Sequence, residues 1–370
     1  MKKKMIILGA GPVGLVTGWL LSERGWKVEI YEKNSIVGGM CRSWKWRDFI
    51  LDTGPHIFHT PDKKMWNFWK KNFGHLLVED KYWSKNTYDD DFNKLYDYPL
   101  SLESLKKFPR NLKSEIHSEL KELKKSKVTL TKNFDEHVKS QVGKTLTKMF
   151  FKNYPEKIWG ISTKKMTSEW APKRIKFRKK ILPFFSGEYT AVGKFGTGCI
   201  YDYLKKKIIN NGGKIYLNRT VIGFESKNFR VKGIKFLGKK LKQISDDTLI
   251  ISSLPITLTA KLLGYNSDLK FRGVRTVYIE INKPVVLSNK CHWIYYSSKN
   301  IIFNRISEHK KMSRFVSPKN KTYLSAEISY SKNDQIDKIS FKEMKKIVVN
   351  DLIKVGLVRK NEIGRLTENK

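Results

Sequence analysis

Acid is scarce in this chain: 35 Asp and Glu stand against 74 Lys and Arg in 370 residues, a formal charge of +39. Such an excess can attract nucleic acid, an anionic membrane surface or phosphate-bearing substrates. The lysines, however, are spread along the whole chain, and Lys, Ile and Asn are abundant together, as in AT-biased coding. Basic binding faces cluster their charge, and no helix-turn-helix, zinc-finger or RNA-recognition pattern accompanies it. No specific nucleic-acid partner is expected, while peripheral contact with an anionic membrane stays open.

Cysteine is equally sparse. Cys41, Cys199 and Cys291 are far apart and odd in number, which argues against a disulfide framework or a zinc cluster and fits a reducing, cytoplasmic setting. The seven histidines form no H-x-x-x-H pair with a carboxylate partner, so no metal is expected. No run of about 18 or more apolar residues escapes interruption by charge or glycine, so no spanning helix is expected. Apolar and aromatic content is that of a globular protein, and the length suits two domains.

What is present is concentrated near the start, in MIILGAGPVGLVTGWLLSERGWKVEIYEK from Met5 to Lys33. Met5–Leu8 reads as a buried parallel strand. Gly9, Gly11 and Gly14 follow at G-x-G-x-x-G spacing with Pro12 among them, then a helix, then a second strand ending at Glu32. Gly9 suits the tight turn, Gly11 admits a pyrophosphate to the backbone, and Gly14 lets helix and strand pack closely. The helix N-terminus presents unpaired N–H groups to the phosphates. Glu32, about 20 residues downstream, is placed for a ribose hydroxyl. A signal peptide needs neither three glycines in register nor a strand closing on an acid.

A glycine pair follows in IVGGMCRSW: Gly38 and Gly39 let a loop cross near a diphosphate, and Arg42 can add a charged contact. With Glu32 just before it, this layout resembles the FAD-binding flavoproteins of the amine oxidase and protoporphyrinogen oxidase superfamily. The resemblance implies FAD as cofactor, held by Gly9, Gly11, Pro12, Gly14, Glu32, Lys33, Gly38, Gly39, Met40, Arg42, His56 and Val221. Val221 enters through Asn218–Val221, which resembles an adenine-holding N-x-x-V element. No second fingerprint appears, so no separate NAD(P) domain is expected.

FILDTGPHIFHT (49–60) places His56 and His59 in a glycine-containing loop, and GPHIFHT with Asp62 and Trp66 resembles the UDP-galactopyranose mutases. There the matching loop runs along the flavin, which puts His59 near the ring with His56 in support. The helical run from Asn133, with Glu136 at its capping-box position, ends in YPEKIWG and continues to SEWAPKR and Arg178. Trp159, Arg174 and Arg178 suit an anionic, ring-bearing substrate: one stacking surface and two forks for phosphate. FFKNYPEKIWG…WAPKRI resembles the F-F-x-x-Y-x-x-K-x-W-G…K-R segment of the mutases. The likeness implies that Trp159 packs beside the uracil and Arg178 meets the diphosphate. Ile158 departs from the glutamine usual in the mutases.

The fold expected is α/β, a Rossmann-like FAD-binding domain (1–80 and 193–265) with an intertwined α+β substrate domain of helical insertion and antiparallel sheet (81–192 and 266–370). The strands RTVYIEIN, HWIYYS, NIIFNRI and TYLSAEIS build that sheet, with Phe303–Asn304–Arg305 and Glu327 resembling its counterpart in relatives. The chain reaches Lys370 after a charged helical stretch without the superfamily's closing segment, so truncation is expected. Three functions stand: a nucleotide-sugar mutase serving cell-surface polysaccharide synthesis; a flavin oxidase or desaturase taking hydride from an amine, tetrapyrrole or isoprenoid; and a truncated, non-catalytic flavin binder. Oligomeric state stays open.

Overall fold

The computed structural model describes residues 3–88, 91–125, 131–170 and 177–369. Two compact units are each assembled from separate stretches: 1–56, 69–77 and 192–270, and 57–68, 78–191 and 271–370.

The first unit is Rossmann-like. Its parallel sheet runs Lys214–Tyr216, Lys27–Tyr31, Lys4–Leu8, Thr248–Ser252. Ile7 and Leu8 lie in the inner strand and are fully buried, which is why that strand reads as an unbroken apolar run. The neighbouring strand alternates: Val28 and Ile30 are buried, while Glu29 meets Lys242 at 2.8 Å. Above the sheet, the helix Pro12–Glu23 lies close because Gly18 has no side chain; a Cβ there would come within 2.7 Å of Ile30 Cδ1. A small antiparallel sheet, Val221–Lys227, Arg230–Phe236 and Lys242–Gln243, shares a core with Ile6 and Leu8, and Phe236 stacks on Tyr31 at 4.7 Å.

The second unit is built on seven strands in the order Ile363–Asn369, Gly273–Ile281, Thr322–Tyr330, Arg305–Glu308, Trp293–Tyr295, Ser84–Tyr88, Asp91–Tyr98. Neighbours are antiparallel except Trp293–Tyr295 beside Ser84–Tyr88, which are parallel. The helix Phe341–Lys354 packs Met344, Val348 and Leu352 into the core with Ile279 and Ile281. The mixed α/β class and the antiparallel sheet agree with the sequence reading. After that helix, which is the charged helical stretch expected near the end, Ile363–Asn369 adds an edge strand to the sheet, and Glu368 forms a paired contact to the buried Arg275 at 2.5 Å.

A helical layer completes this unit. Asn133 caps Phe134–Leu146 by accepting the Glu136 N–H at 3.0 Å, as the capping-box pattern suggests. The single helical run expected from there to Gly160 is broken. Gly143 adopts φ +86°, a π-helical turn occupies Thr147–Phe151, and a new helix covers Asn153–Trp159. The cause is Glu119, whose carboxylate accepts the Thr145 N–H at 3.0 Å and would overlap any Cβ at Gly143. Lys63–Phe73 forms a further helix; Trp66 is buried against Tyr189, whereas Met65 and Phe68 are exposed.

His292 tests this sheet. It is buried, accepts the Trp83 N–H at Nδ1 over 3.0 Å, and burial pulls its pKa from 6.5 to about 4. The folded value lies below the unfolded one, so the stabilisation is complete above pH 6.5 and is lost as pH falls toward 4. Between about pH 7.5 and about pH 5.5, the native chain should lose about 1 kcal/mol more than a His292→Asn variant, which can still accept that N–H. Urea melts at the two pH values measure it; parallel losses in both proteins would contradict it.

Candidate functional site

The first unit carries a backbone-built cradle. Gly9 turns the chain at φ +100°, and Gly11 caps the helix Pro12–Glu23 without a side chain, leaving the helix's first turn approachable. A Cβ on Gly14 would lie 2.0 Å from Gly9 O, so the strand–turn–helix junction closes only with glycine there. The Gly38–Gly39 loop crosses the same place: Gly38 N donates to Ala10 O at 2.8 Å, and a Cβ on Gly39 would meet Gly11 Cα at 2.9 Å. Pro12 starts the helix, Met40 is exposed beyond the loop, and Lys33 is exposed at the strand end. Arg42 turns back onto its own loop, donating to Gly39 O at 3.0 Å and lying over Trp44.

Glu32 is buried at the carboxyl end of its strand. Its oxygens accept from Ala10 N at 2.9 Å, Asn34 N at 2.9 Å and Asn34 Nδ2 at 2.8 Å. Those bonds fix the carboxylate beside the glycine turn, and its remaining lone pairs can still accept hydroxyls. Arg219 N donates to Glu32 O at 2.8 Å, so the Asn218–Val221 segment lies along the same strand end; the Val221 side chain itself is core. These groups fit a dinucleotide: a cradle that a Cβ would fill, a helix N-terminus, and an acid ready-held for a ribose.

His56 closes this unit's first stretch, its Nδ1 lying 2.8 Å from Gly54 O. Close by in sequence, the buried Asp52 accepts from Thr197 N and Oγ1, both at 3.0 Å, and from Ser43 Oγ. Ser43 Oγ in turn accepts the Gly198 N–H at 2.7 Å. Burial raises the Asp52 pKa above the usual carboxyl range. Asp52 thus ties the strand Phe49–Asp52 to the turn opening the helix Gly198–Asn210, a role the sequence pattern did not single out.

The second unit holds a cavity of about 700 Å³ whose lining includes His59, Trp159 and Arg178. Arg174 lies outside the described residues. One wall comes from the helical layer: Phe134, Phe151, Tyr154, Pro155, Ile158 and Trp159. Lys157, between them in sequence, points the other way. Its ammonium, with three N–H groups to share, lies within hydrogen-bond reach of four carbonyls, Tyr296 O at 3.3 Å, Ser298 O at 3.0 Å, Ile301 O at 2.5 Å and Phe303 O at 2.7 Å. Gly160 ends the helix at φ +68°, and Arg272 Nε donates to Ile158 O at 2.9 Å.

The polar groups of the cavity come from the sheet and from the segment 178–188. Arg305 and Glu327 face each other across adjacent strands and form a two-point pair at 2.9 and 2.7 Å. Burial opposes the Arg305 charge, but Glu327 and Tyr295 outweigh it and raise its pKa. His59 Nδ1 lies 2.7 Å from Glu188 Oε2 and its ring stacks on Phe185 at 4.2 Å. A carboxylate only accepts, so Nδ1 carries the proton and Nε2 is the group left to exchange one. Arg178 differs from both: its guanidinium donates to Pro183 O at 2.7 Å and Phe184 O at 2.9 Å and has no carboxylate partner among the described residues. Burial lowers its pKa from 12.5, yet an arginine stays charged. Arg305 and Glu327 balance each other, and Arg178 is fixed by neutral carbonyls alone among the described residues. Asn86, on the cavity lining, is almost fully buried, and its Oδ1 has no hydrogen-bond partner among the described residues. Nothing in the sequence pattern marked it.

Comparisons with known proteins agree with this layout. A family model described as UDP-galactopyranose mutase matches residues 149–351, and one described as an NAD(P)-binding Rossmann-like domain matches residues 7–71. A dTDP-fucopyranose mutase of Escherichia coli is 25% identical over 323 residues, 83% of this chain and 76% of that protein. The crystal structure of reduced UDP-galactopyranose mutase superposes with a TM-score of 0.83 at 18% identity, covering 100% of this chain and 83% of that one. Putrescine oxidase bound to putrescine superposes at 0.64 and 15% identity, covering 100% and 85%. At such identities the two structures share the fold.

The cradle makes a direct prediction. In Gly39→Ala the methyl must displace the Gly11 backbone at a position of φ +54°, a left-handed conformation that costs about 1–2 kcal/mol outside glycine. The variant should fold yet retain a dinucleotide cofactor at least about tenfold more weakly, since the backbone that approaches the phosphates is moved. Cofactor content after dialysis measures it; equal retention would contradict it.

Proposed function

The chain belongs to the UDP-galactopyranose mutase family, in the amine oxidase and protoporphyrinogen oxidase superfamily, and on that premise we propose that it is an FAD-dependent mutase of a nucleotide-diphosphate sugar. The observation that carries this reading is the second unit's cavity: an aromatic and apolar wall for a base, and Arg178, whose guanidinium is held by neutral carbonyls, for an anion. Its volume of about 700 Å³ suits a ligand of that size.

FAD would be held by the Gly9–Gly14 turn and helix N-terminus at its diphosphate, by Glu32 at its ribose, and by the Gly38–Gly39 loop. Bound flavin supplies the electron-rich or hydride-accepting centre that side chains lack. The chain's own residues do the rest. Trp159 and Tyr154 give the base a surface to stack on. Arg178 holds the diphosphate and stabilises its negative charge as the bond to the sugar lengthens, a fixed charge in a partly dry site. His59, oriented by Glu188, can take or return a proton at Nε2. Asn86 Oδ1 can accept from a sugar hydroxyl and so gain the partner it lacks. The Escherichia coli relative's name specifies a dTDP sugar and the family's name a UDP sugar, so this reading leaves the pyrimidine open.

The likeness to putrescine oxidase supports a second reading, hydride transfer from an amine to flavin. Arg178 favours the first, because its fixed positive charge attracts a diphosphate and repels a cationic amine.

Titration of UDP and dTDP into the flavin-loaded protein tests the proposal. Binding should perturb the flavin absorbance, and Arg178→Ala should weaken it about ten- to a hundredfold, the worth of a charged hydrogen-bonded contact. A melting temperature close to the native one controls for the carbonyl contacts that the variant also loses. No binding of either nucleotide, with a response to amines instead, would establish the oxidase reading.

A further inference from the structure

The geometry points to Lys157 as a positioning residue of the cavity: a compact positive charge behind the lining sets how far apart two of its walls stand. This goes beyond the reading above and does not depend on which ligand the cavity takes. The two walls come from elements distant in sequence. Tyr154, Ile158 and Trp159 stand on the helix Asn153–Trp159, whereas Tyr295, Asn304 and Arg305 belong to the ends of the strands Trp293–Tyr295 and Arg305–Glu308. The segment 296–303 joins those two strands. Lys157 Nζ lies 3.3 Å from Tyr296 O and 2.7 Å from Phe303 O, the carbonyls next in sequence to Tyr295 and Asn304. Ser298 O at 3.0 Å and Ile301 O at 2.5 Å complete the ring. One atom is thus tied to both ends of the segment, one residue away from the lining on each side. In front of it, the Tyr154 and Tyr295 rings meet edge to face at 5.1 Å, one from each wall.

The charge matters more than the length of the side chain. Tyr296, Ser298, Ile301 and Phe303 are almost fully buried, and their carbonyl oxygens converge on one point. Three N–H groups cannot aim a separate bond at each of four oxygens, but a compact cation attracts all four at once. Rings of backbone carbonyls replace the hydration shell of a bare ion in the same way. Without a cation between them, four converging carbonyl dipoles repel one another, and the segment relaxes away from the helix. The helix has a second attachment that does not involve this segment. Arg272, just before the strand Gly273–Ile281, donates from Nε to Ile158 O at 2.9 Å and from Nη2 to Lys157 O at 3.3 Å. Loss of the ammonium should therefore displace the wall and leave the fold in place.

Fluorine NMR of the flavin-loaded protein, labelled with fluorotryptophan, tests this. Each of the ten tryptophans gives one resonance, and Trp159→Phe identifies that of Trp159, exposed at the end of the helix. In Lys157→Ala the Trp159 resonance should move, while those of Trp26 and Trp46 in the first unit keep their places. Propylammonium chloride supplies the Cγ, Cδ, Cε and Nζ atoms that the substitution removes, and should return the resonance to its native position in a saturable way. Propanol, of similar size without the charge, and sodium chloride at the same concentration should leave it displaced. Lys157→Met, which keeps most of the stem and loses the charge, should show the same displacement, and it decides the matter if Lys157→Ala does not fold. A native Trp159 resonance in either folded variant would overturn the inference, as would recovery with propanol equal to that with propylammonium, or none with either. Unfolding of both variants would overturn it too, since the ammonium would then hold the whole unit and not the wall. No nucleotide is present in the experiment, so its failure and that of the nucleotide-sugar reading are separate results.

Discussion

One ammonium group holds the candidate substrate site in shape. Lys157 sends its side chain away from the cavity and into a ring of four carbonyls between Tyr296 and Phe303. Carbonyls left unpaired in a protein interior cost free energy, and hydrogen bonds to a charged donor are among the stronger ones. The helix Asn153–Trp159 is only two turns long and has little stability of its own. Its attachment to the sheet's connecting loop therefore depends on this contact and on Arg272 at the helix's C-terminal end. Tyr154, Ile158 and Trp159 owe their places on the cavity wall to it.

The two candidate sites are built in different ways. The first uses backbone: glycines at Gly9, Gly14 and Gly39 leave no Cβ where strand, helix and loop approach most closely, and the helix's first main-chain N–H groups stay open as in a phosphate site. The second uses side chains held by one another: Arg305 faces Glu327, His59 faces Glu188, and Arg178 is fixed by neutral carbonyls. Side chains held this way stay put when a ligand arrives, and the Arg178 charge is available to it.

This division decides what the sequence disclosed. Backbone sites need glycine at set spacings, so the fingerprint, the glycine pair and Glu32 were legible in order, and the Rossmann-like fold with them. The segment from Phe150 to Gly160 was legible as a pattern, but the purpose of its lysine was not, because the four carbonyls it binds lie about 140 residues away and carry no side-chain signature. Asn86 was invisible for the same reason: an ordinary strand asparagine becomes notable only when burial strips it of partners. The helical run from Asn133 misled because local propensity is continuous there, and the break at Gly143 is imposed by Glu119 from another helix. The final strand was not picked out, since its pairing partner Gly273–Ile281 lies far back in the chain.

A mutase rearranges its substrate and returns the flavin unchanged, whereas an oxidase or desaturase passes two electrons to an acceptor in every turnover. Counting electrons therefore tests the account at its centre. With the flavin pre-reduced under anaerobic conditions and a dTDP-sugar or UDP-sugar supplied in excess, product should accumulate over many turnovers while the flavin stays reduced and no further reductant is consumed. One equivalent of reductant, hydrogen peroxide or reduced acceptor for each product formed would contradict it.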